Sequence, residues 1–142
     1  IKGATTGKVL SIYQTIRAAA AAFSVRLGGH PQFIRPLVNP MAQAAAIAKY
    51  GELDEKTEDE IKGAAAASEN YGNFFAQNVF MGASGTLLIV STMVEQGYAE
   101  VTALNIAMWS IPVAVISVVL GIIKNAMLDK KIKAKLSKKE EK

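Results

Sequence analysis

The stretch from Val101 to Ile123 contains 23 residues and no charged side chain. About 20 apolar residues in a helix span the roughly 30 Å hydrocarbon core of a bilayer, because each residue adds about 1.5 Å. The stretch therefore predicts a transmembrane helix.

Small residues recur along one side of this helix at spacings of three and four. We call them the small-residue seam: Ala103, Ala107, Ser110, Ala114, Ser117 and Gly121. The larger residues Leu104, Ile111, Val118, Leu120 and Ile122 are expected to point elsewhere. Helices in lipid associate through close contacts at small residues. The seam therefore predicts a neighbouring helix, in this chain or in a partner.

A second uncharged run extends over the 25 residues from Asn70 to Val94, between Glu69 and Glu95. It predicts a second transmembrane helix, with a weakly helical segment near residues 82–86 that could be a break. Polar residues recur along it at a spacing of seven, at Asn70, Gln77, Ser84 and Ser91, and Asn73 and Asn78 lie beside this stripe. Such residues either bind neighbouring helices or contact a substrate, and the sequence leaves both open for Gln77 and Asn78.

Lysines set the expected orientation. The tail beyond Lys124 is rich in lysine, whereas the loop from Glu95 to Glu100 has no lysine or arginine. The positive-inside rule places the tail in the cytoplasm, and the segment 49–69 returns to the same side. A nucleic-acid-binding tail is the less favoured alternative, because the lysines directly follow a span. Within 49–69, Thr57 and Glu60 predict a capping box that opens a helix through Ile61 to Ser68.

The first fifty residues predict a helical hairpin with a break. The arm from Val9 to Leu27 is followed by Gly28-Gly29-His30-Pro31. Asn39 is a suitable N-cap for a second arm that begins at Pro40, runs from Met41 to Tyr50 and reaches about half-way across a bilayer. Loop backbone is not tolerated in lipid, so residues 28–39 should be buried in protein or line a water-filled cavity.

Arg17, Arg26 and Arg35 lie in or beside this hairpin. A charged residue at mid-bilayer needs a partner or a water path. Arg17 could instead extend its charged group to the membrane–water interface. Arg26 and Arg35 lie on either side of the break, and we expect them to line a cavity. Arg35 and the amides at the start of the Pro40 helix could hold a carboxylate. The predicted substrate-binding residues are Gly28, Gly29, His30, Arg35, Asn39, Asn73, Gln77 and Asn78.

Catalysis is not expected. The chain has one histidine, no cysteine and no paired carboxylates, so we predict neither an enzyme nor a cofactor or metal centre. No Asp or Glu lies between Ile1 and Gly51 or inside either uncharged run. Coupling to an ion, sodium or a proton, would then use His30, Glu69, backbone carbonyls that hold a cation, or a partner subunit.

These patterns predict an all-α, polytopic membrane protein. A membrane domain (1–128) contains the broken-helix hairpin (9–50), a cytoplasmic loop with a short helix (51–69) and two transmembrane helices (70–94 and 101–123). A basic cytoplasmic tail follows (129–142). Broken helices are typical of secondary transporters built from inverted repeats. Because the chain begins at Ile1, we expect an N-terminally truncated half, completed by missing helices or a second subunit.

Several short motifs resemble a known family: Gly28-Gly29-His30, Arg35-Pro36-Leu37, Pro40-Met41-Ala42, Glu69-Asn70-x-Gly72-x-Phe74-Phe75 and Trp109-x-Ile111-Pro112. From about Gly7 to Leu128 they resemble the smaller membrane subunit of bacterial two-subunit 5-oxoproline transporters, which is similar to the ion transporter superfamily. Family members usually have further N-terminal helices and an acidic residue around Gln77 and Asn78, where this chain has two amides.

The resemblance implies a subunit of a secondary active transporter that imports a small carboxylate, 5-oxoproline, across the bacterial cytoplasmic membrane with a larger membrane subunit. The alternative is a non-transporting scaffold or assembly subunit, in which the small-residue seam and the polar side chains serve assembly alone.

Overall fold

The computed structural model describes the backbone of residues 3–140 and the side chains of residues 3–137. Its elements are helical, and the described residues contain no strand, which confirms the all-α class. The elements in chain order are α1 (Thr6–Ala22), a π-helical segment (His30–Val38), α2 (Asn39–Tyr50), α3 (Glu55–Ala76), a 3-10 turn (Gln77–Val79), α4 (Ser84–Glu95) and α5 (Ala103–Glu140).

Among the described residues, α5 is the one unbroken helix that is long and apolar enough to cross a membrane. Its most apolar 18-residue window has a mean hydropathy of 2.5 and is only 11% buried. The second uncharged run is not a single helix. It comprises the end of α3, the 3-10 turn and α4, and the two helical parts are bent by 51° at the break. Gly82 and Gly85 weaken the helix there, as the sequence suggests.

Helix α1 ends earlier than predicted, at Ala22. Ser24 takes a left-handed conformation (φ 57°), and its amide donates to the Ala21 carbonyl at 3.0 Å. The Val25 amide donates to the Ala20 carbonyl at 2.7 Å. This is a Schellman ending with serine in the position that glycine usually occupies. The first break therefore covers residues 23–29, and the prediction of a helix up to Leu27 is wrong.

Proline explains the π-helical segment. Pro31 lies in its first turn and Pro36 in its interior, and Pro40 follows in α2. Proline has no amide hydrogen, and its ring clashes with the carbonyl four residues earlier. A wider coil avoids this clash, and the Asn39 amide donates to the Ile34 carbonyl, five residues earlier.

Asn39 is consequently not an N-cap. It has helical dihedral angles (φ −63°, ψ −50°) on a continuous helical path from His30 to Tyr50. The second arm thus contains nine π-helical and 12 α-helical residues, more than the predicted half-span. No helix begins at Pro40, so the free amides expected there beside Arg35 do not exist.

The main core lies at the charged end of the molecule, where both hairpin arms, α3 and the end of α5 meet. Its buried side chains are Leu10, Tyr13, Ile34, Val38, Ala42, Ala46, Leu53, Ile61, Ala65, Ile132 and Leu136. The last two belong to the predicted basic tail. Residues 129–137 therefore continue α5 and pack against the hairpin and α3.

Ion pairs join this end of α5 to the beginning of α3. Lys135 Nζ lies 2.9 Å from the Asp54 carboxylate, and Lys131 Nζ lies 3.0 Å from that of Glu60. Asp54, not Thr57, takes the N-cap position (φ −84°, ψ 154°), so the predicted cap is wrong by three residues. The pKa of the Asp54 carboxyl is lowered to about 2, mainly by its hydrogen bond with Thr57 and to a lesser extent by the one with Lys135.

The small-residue seam is on the more buried side of α5, and α5 packs mainly against α1 and α3 of the same chain. Gly121 is buried, and a Cβ there would lie 2.1–2.5 Å from the side-chain amide of Gln14 in α1. Gln14 Nε2 also donates to the Ser117 carbonyl at 3.2 Å. Val118 differs from prediction: it is half-buried against Ala18, Ala21 and Ala76 because it lies one turn after Ala114.

Candidate functional site

A buried ion pair joins the two central helices. Arg17 of α1 and Glu69 of α3 are 7% and 4% exposed, and Arg17 Nε donates to Glu69 Oε1 at 2.8 Å. The Tyr13 hydroxyl donates to the other oxygen, Glu69 Oε2. Both carboxylate oxygens are thus bonded, which buried ionised groups require. Arg17 does not extend to an interface, so that alternative is wrong.

Beside this pair lies a polar cavity of about 490 Å³. It is bounded by the C-terminal part of α1 and the first break, by α3 and the 3-10 turn, and by the second break with the start of α4. Its lining residues are Arg17, Ala21, Ser24, Val25, Arg26, Leu27, Asn73, Gln77, Phe80, Gly82, Ala83 and Ser84. The two helix breaks therefore meet at one site, of the size that small ligands occupy.

The cavity contains N–H donors that are free to bind a ligand. A guanidinium has five N–H groups, and only Nε of Arg17 is hydrogen-bonded to the described residues. Arg26 is exposed and has no ion-pair partner among residues 3–137. Because Glu69 neutralises Arg17, the cavity carries one net positive charge, from Arg26. Asn73 and Gln77 add amide groups. This arrangement can bind a monovalent anion that also has polar atoms.

Two predicted residues, Gly29 and His30, lie near Glu69 but do not line the cavity. A Cβ at Gly29 would lie 3.6 Å from Glu69 Oε1, so the first break passes close to the carboxylate. The His30 Nε2 atom lies 3.1 Å from Asn70 Oδ1, in the residue next to Glu69. This contact attaches the beginning of the π-helical segment to α3. In this geometry His30 connects the two elements.

The other predicted substrate-binding residues lie apart from the cavity. Arg35 is exposed on the π-helical segment, and Asn39 accepts a hydrogen bond from Gln43 at 3.2 Å. Gly28 lies against the side chain of Gln32. Asn78 lies in the 3-10 turn at the back of the second break. Of the eight residues, Asn73 and Gln77 line the cavity.

Sequence reasoning missed the Arg17–Glu69 pair and Tyr13. A signal existed: Arg17 lies in an apolar segment, so it needed a partner, and Glu69 is the acid that directly precedes the uncharged run. The two are 52 residues apart, and only the contact between α1 and α3 brings them together. A larger cavity of about 630 Å³ lies between residues 3–5 and α2, but alanines and Lys49 form most of its wall.

The fold and site define an all-helical protein in which two interrupted helical paths border an open cationic cavity beside a buried ion pair. The family model described as protein of unknown function (DUF969) matches residues 1–133, and the chain belongs to this family. No curated protein and no solved structure matches the chain.

Proposed function

We propose that this chain is a subunit of a secondary active transporter that imports a small carboxylate across the bacterial cytoplasmic membrane. The observation that carries the proposal is the meeting of two helix breaks around a cavity with one net positive charge. Interrupted helices whose ends meet near a substrate are the usual architecture of such transporters. The resemblance noted above suggests 5-oxoproline, a monocarboxylate with a lactam amide, as the substrate.

The surface supports a membrane location with more than one crossing. Large apolar side chains are exposed along α4 and along α5 as far as Met127, including Leu88 (67%) and Trp109 (78%). Exposed apolar patches beyond a few hundred Å² are rare on soluble monomers. The charged residues of α3 and α5 pair at the opposite end, which agrees with one cytoplasmic side for residues 49–69 and the tail. A larger membrane subunit would cover part of the remaining surface.

In the proposed binding mode, Arg17 and Arg26 hold the carboxylate, and Asn73 and Gln77 bind the polar remainder. The ion pair with Glu69 fixes the guanidinium of Arg17 and leaves its other N–H groups for the ligand. This role replaces the one that the sequence suggests for Arg35.

Uptake of labelled 5-oxoproline by the reconstituted full complex tests the proposal. We expect Arg26→Gln to raise the apparent KM about ten- to hundredfold, because a charged hydrogen bond contributes about 1.5–3 kcal/mol. Arg35→Gln is the matched control, since Arg35 is exposed outside the cavity, and it should leave uptake unchanged. Equal uptake by both variants at wild-type membrane abundance would contradict the proposal and favour the scaffold.

A further inference from the structure

A groove between α3 and α5 shares no lining residue with the cavity between the two breaks. Tyr71 and Phe75 of α3 form one wall, and Val113, Ile116 and Leu120 of α5 form the other. The groove has a volume of about 320 Å³. All five side chains are exposed, so no element of the described chain covers them. We call this depression the α3–α5 groove.

Small residues of the seam form the floor of the α3–α5 groove. Ser117 is half-buried and Gly121 is buried, whereas the apolar residues of the walls are exposed. Because these two residues are small, they leave space between their larger neighbours. The seam that lets α5 approach α1 and α3 therefore also leaves this groove open.

At Lys124 the α3–α5 groove adjoins a polar pocket of about 220 Å³, which extends along α5 to Lys131. Tyr71, Gly121 and Lys124 line both depressions, so the two are continuous. Three buried polar side chains line the pocket: Gln14, Ser68 and Asn125. The combined depression is therefore amphipathic, with its apolar part towards Val113 and its polar part towards Lys131.

Lys124 places a positive charge where the two parts meet. Its Nζ atom lies 5.3 Å from the centre of the Tyr71 ring, and it has no ion-pair partner among residues 3–137. An ammonium group has three N–H donors, and contact with an aromatic face leaves donors for an anion. The other two charged residues of the lining, Lys131 and Glu60, pair with each other at 3.0 Å. The depression therefore carries one net positive charge.

The buried amides of the polar pocket can form further hydrogen bonds. Gln14 Nε2 donates to the Ser117 carbonyl at 3.2 Å, and Asn125 Nδ2 donates to the Ser11 hydroxyl at 3.3 Å. A primary amide has two N–H groups and a carbonyl oxygen, so neither side chain is saturated by one bond. The pocket can therefore bind hydroxyl groups beside an anion.

The length of the apolar part matches one leaflet of a bilayer. Val113 and Lys124 are 11 positions apart, which corresponds to roughly 16 Å along a helix at about 1.5 Å per residue. Half of the hydrocarbon core is about 15 Å. A transmembrane helix of a partner would need an apolar surface across both leaflets, whereas a lipid acyl chain needs it across one.

We propose that the α3–α5 groove and the polar pocket together bind one anionic phospholipid of the cytoplasmic leaflet. An acyl chain lies between the walls of the groove, the phosphate lies at Lys124, and the headgroup contacts the polar pocket. Basic pockets between membrane helices on the cytoplasmic side are typical sites for anionic headgroups. The inference rests on the proposed membrane location and orientation, and it does not depend on a carboxylate or on transport.

The charge and the amides favour phosphatidylglycerol. Its phosphodiester carries one negative charge, which balances the one unpaired lysine, and its glycerol hydroxyls can bond with Gln14 and Asn125. Phosphatidylethanolamine has the same phosphate but adds an ammonium group, which would lie close to Lys124 and Lys131 and be repelled by them. We therefore expect the site to distinguish these two lipids.

Native mass spectrometry of the full complex in mild detergent measures lipid binding without any carboxylate. Phosphatidylglycerol and phosphatidylethanolamine with identical acyl chains are titrated separately, and glycerol phosphate tests the headgroup alone. We expect one bound phosphatidylglycerol with an affinity about fivefold or more above that of phosphatidylethanolamine, which is the factor that one lysine near an anionic headgroup contributes. Glycerol phosphate should not bind at the same concentrations, because it has no acyl chain to bury.

Equal affinity for the two lipids, or equal binding of glycerol phosphate, would overturn the proposal and leave the groove as a packing surface for a partner helix. Recovery of the chain in the soluble fraction would instead contradict the proposed membrane location itself. The two failures are therefore distinguishable.

Three variants assign the phosphate to Lys124. Lys124→Gln removes the charge of an exposed side chain, and we expect the affinity for phosphatidylglycerol to fall about fivefold. Lys124→Arg keeps the charge and should keep the affinity. Lys130→Gln is the matched control, because Lys130 is an exposed lysine of α5 that lines neither depression. Unchanged affinity in Lys124→Gln, or an equal loss in Lys130→Gln, would overturn the assignment.

Discussion

The Arg17–Glu69 pair is the residue-level feature on which the site depends. It fixes a charged side chain at the cavity wall, and it does so in a buried position where either charge alone is costly. Tyr13 satisfies the second carboxylate oxygen, so the pair has no unbonded oxygen left. This arrangement allows an arginine to lie deep in an apolar part of the molecule.

We expect Glu69→Gln to lower the free energy of unfolding by about 3–5 kcal/mol, because it leaves the Arg17 charge buried without compensation. The double variant Arg17→Met with Glu69→Leu should be more stable than Glu69→Gln, since no charge remains unpaired. Thermal unfolding of the purified protein in detergent measures both. A double variant whose loss equals the sum of the losses measured for Arg17→Met alone and Glu69→Leu alone would show that the residues do not interact.

At the level of elements, the close approach of α1 and α3 holds the site together. A Cβ at Gly72 would lie 2.9 Å from Arg17 Cβ and 3.0 Å from the Gln14 backbone oxygen. A backbone atom cannot move aside as a side-chain tip can. Glycine at this position therefore sets the distance between the helices that carry the ion pair.

Gly72→Ala should destabilise the protein by about 1–3 kcal/mol, because the added methyl group forces the helices apart. Gly63→Ala is the matched control on the same helix, where a Cβ would have nothing within 4 Å. It should stabilise by about 0.5–1 kcal/mol through helix propensity alone. The midpoints of thermal unfolding compare them, and a Gly72→Ala protein as stable as Gly63→Ala would contradict the packing described here.

The sequence predicted the elements better than their ends. The apolar run of α5, its small-residue seam and the break near Gly82 follow from composition and spacing, which act locally. The end of α1 depends on Ser24 taking a conformation that glycine normally takes, and the π-helical segment depends on successive prolines acting together. Neither effect is visible in residue-by-residue propensity, and so Asn39 looked like the start of a helix.

Only part of the site could be predicted from the sequence, and the reason differs from the one that applies to the helix ends. Asn73 and Gln77 follow from a polar stripe on one helix, and Arg26 follows from its position at a break. Arg17, and not the predicted Arg35, lies at the cavity. This could be known only from which helices are neighbours, because Arg17 forms its ion pair with a residue distant in sequence. Contacts of this kind are a property of the tertiary fold and leave no local pattern.

At the level of the whole molecule, the two ends of the structure differ in the character of their side chains. The charged end contains the main core and the ion pairs between α3 and α5. The other end carries exposed apolar helices and the two breaks around the cavity. This division agrees with a stable cytoplasmic base and a binding region inside the membrane, which is the central claim of the proposed function.

The absence of cysteine allows a direct test of that claim. Ser84→Cys places a thiol at the cavity wall, and Ser91→Cys places one on an exposed apolar part of α4. In membranes that contain the full complex, we expect a water-soluble maleimide to label Ser84→Cys, and 5-oxoproline to slow that labelling. Ser91→Cys should resist labelling with or without the carboxylate. Failure of the reagent to label Ser84→Cys, or labelling at a rate that the carboxylate does not change, would contradict a water-accessible carboxylate site between the two breaks.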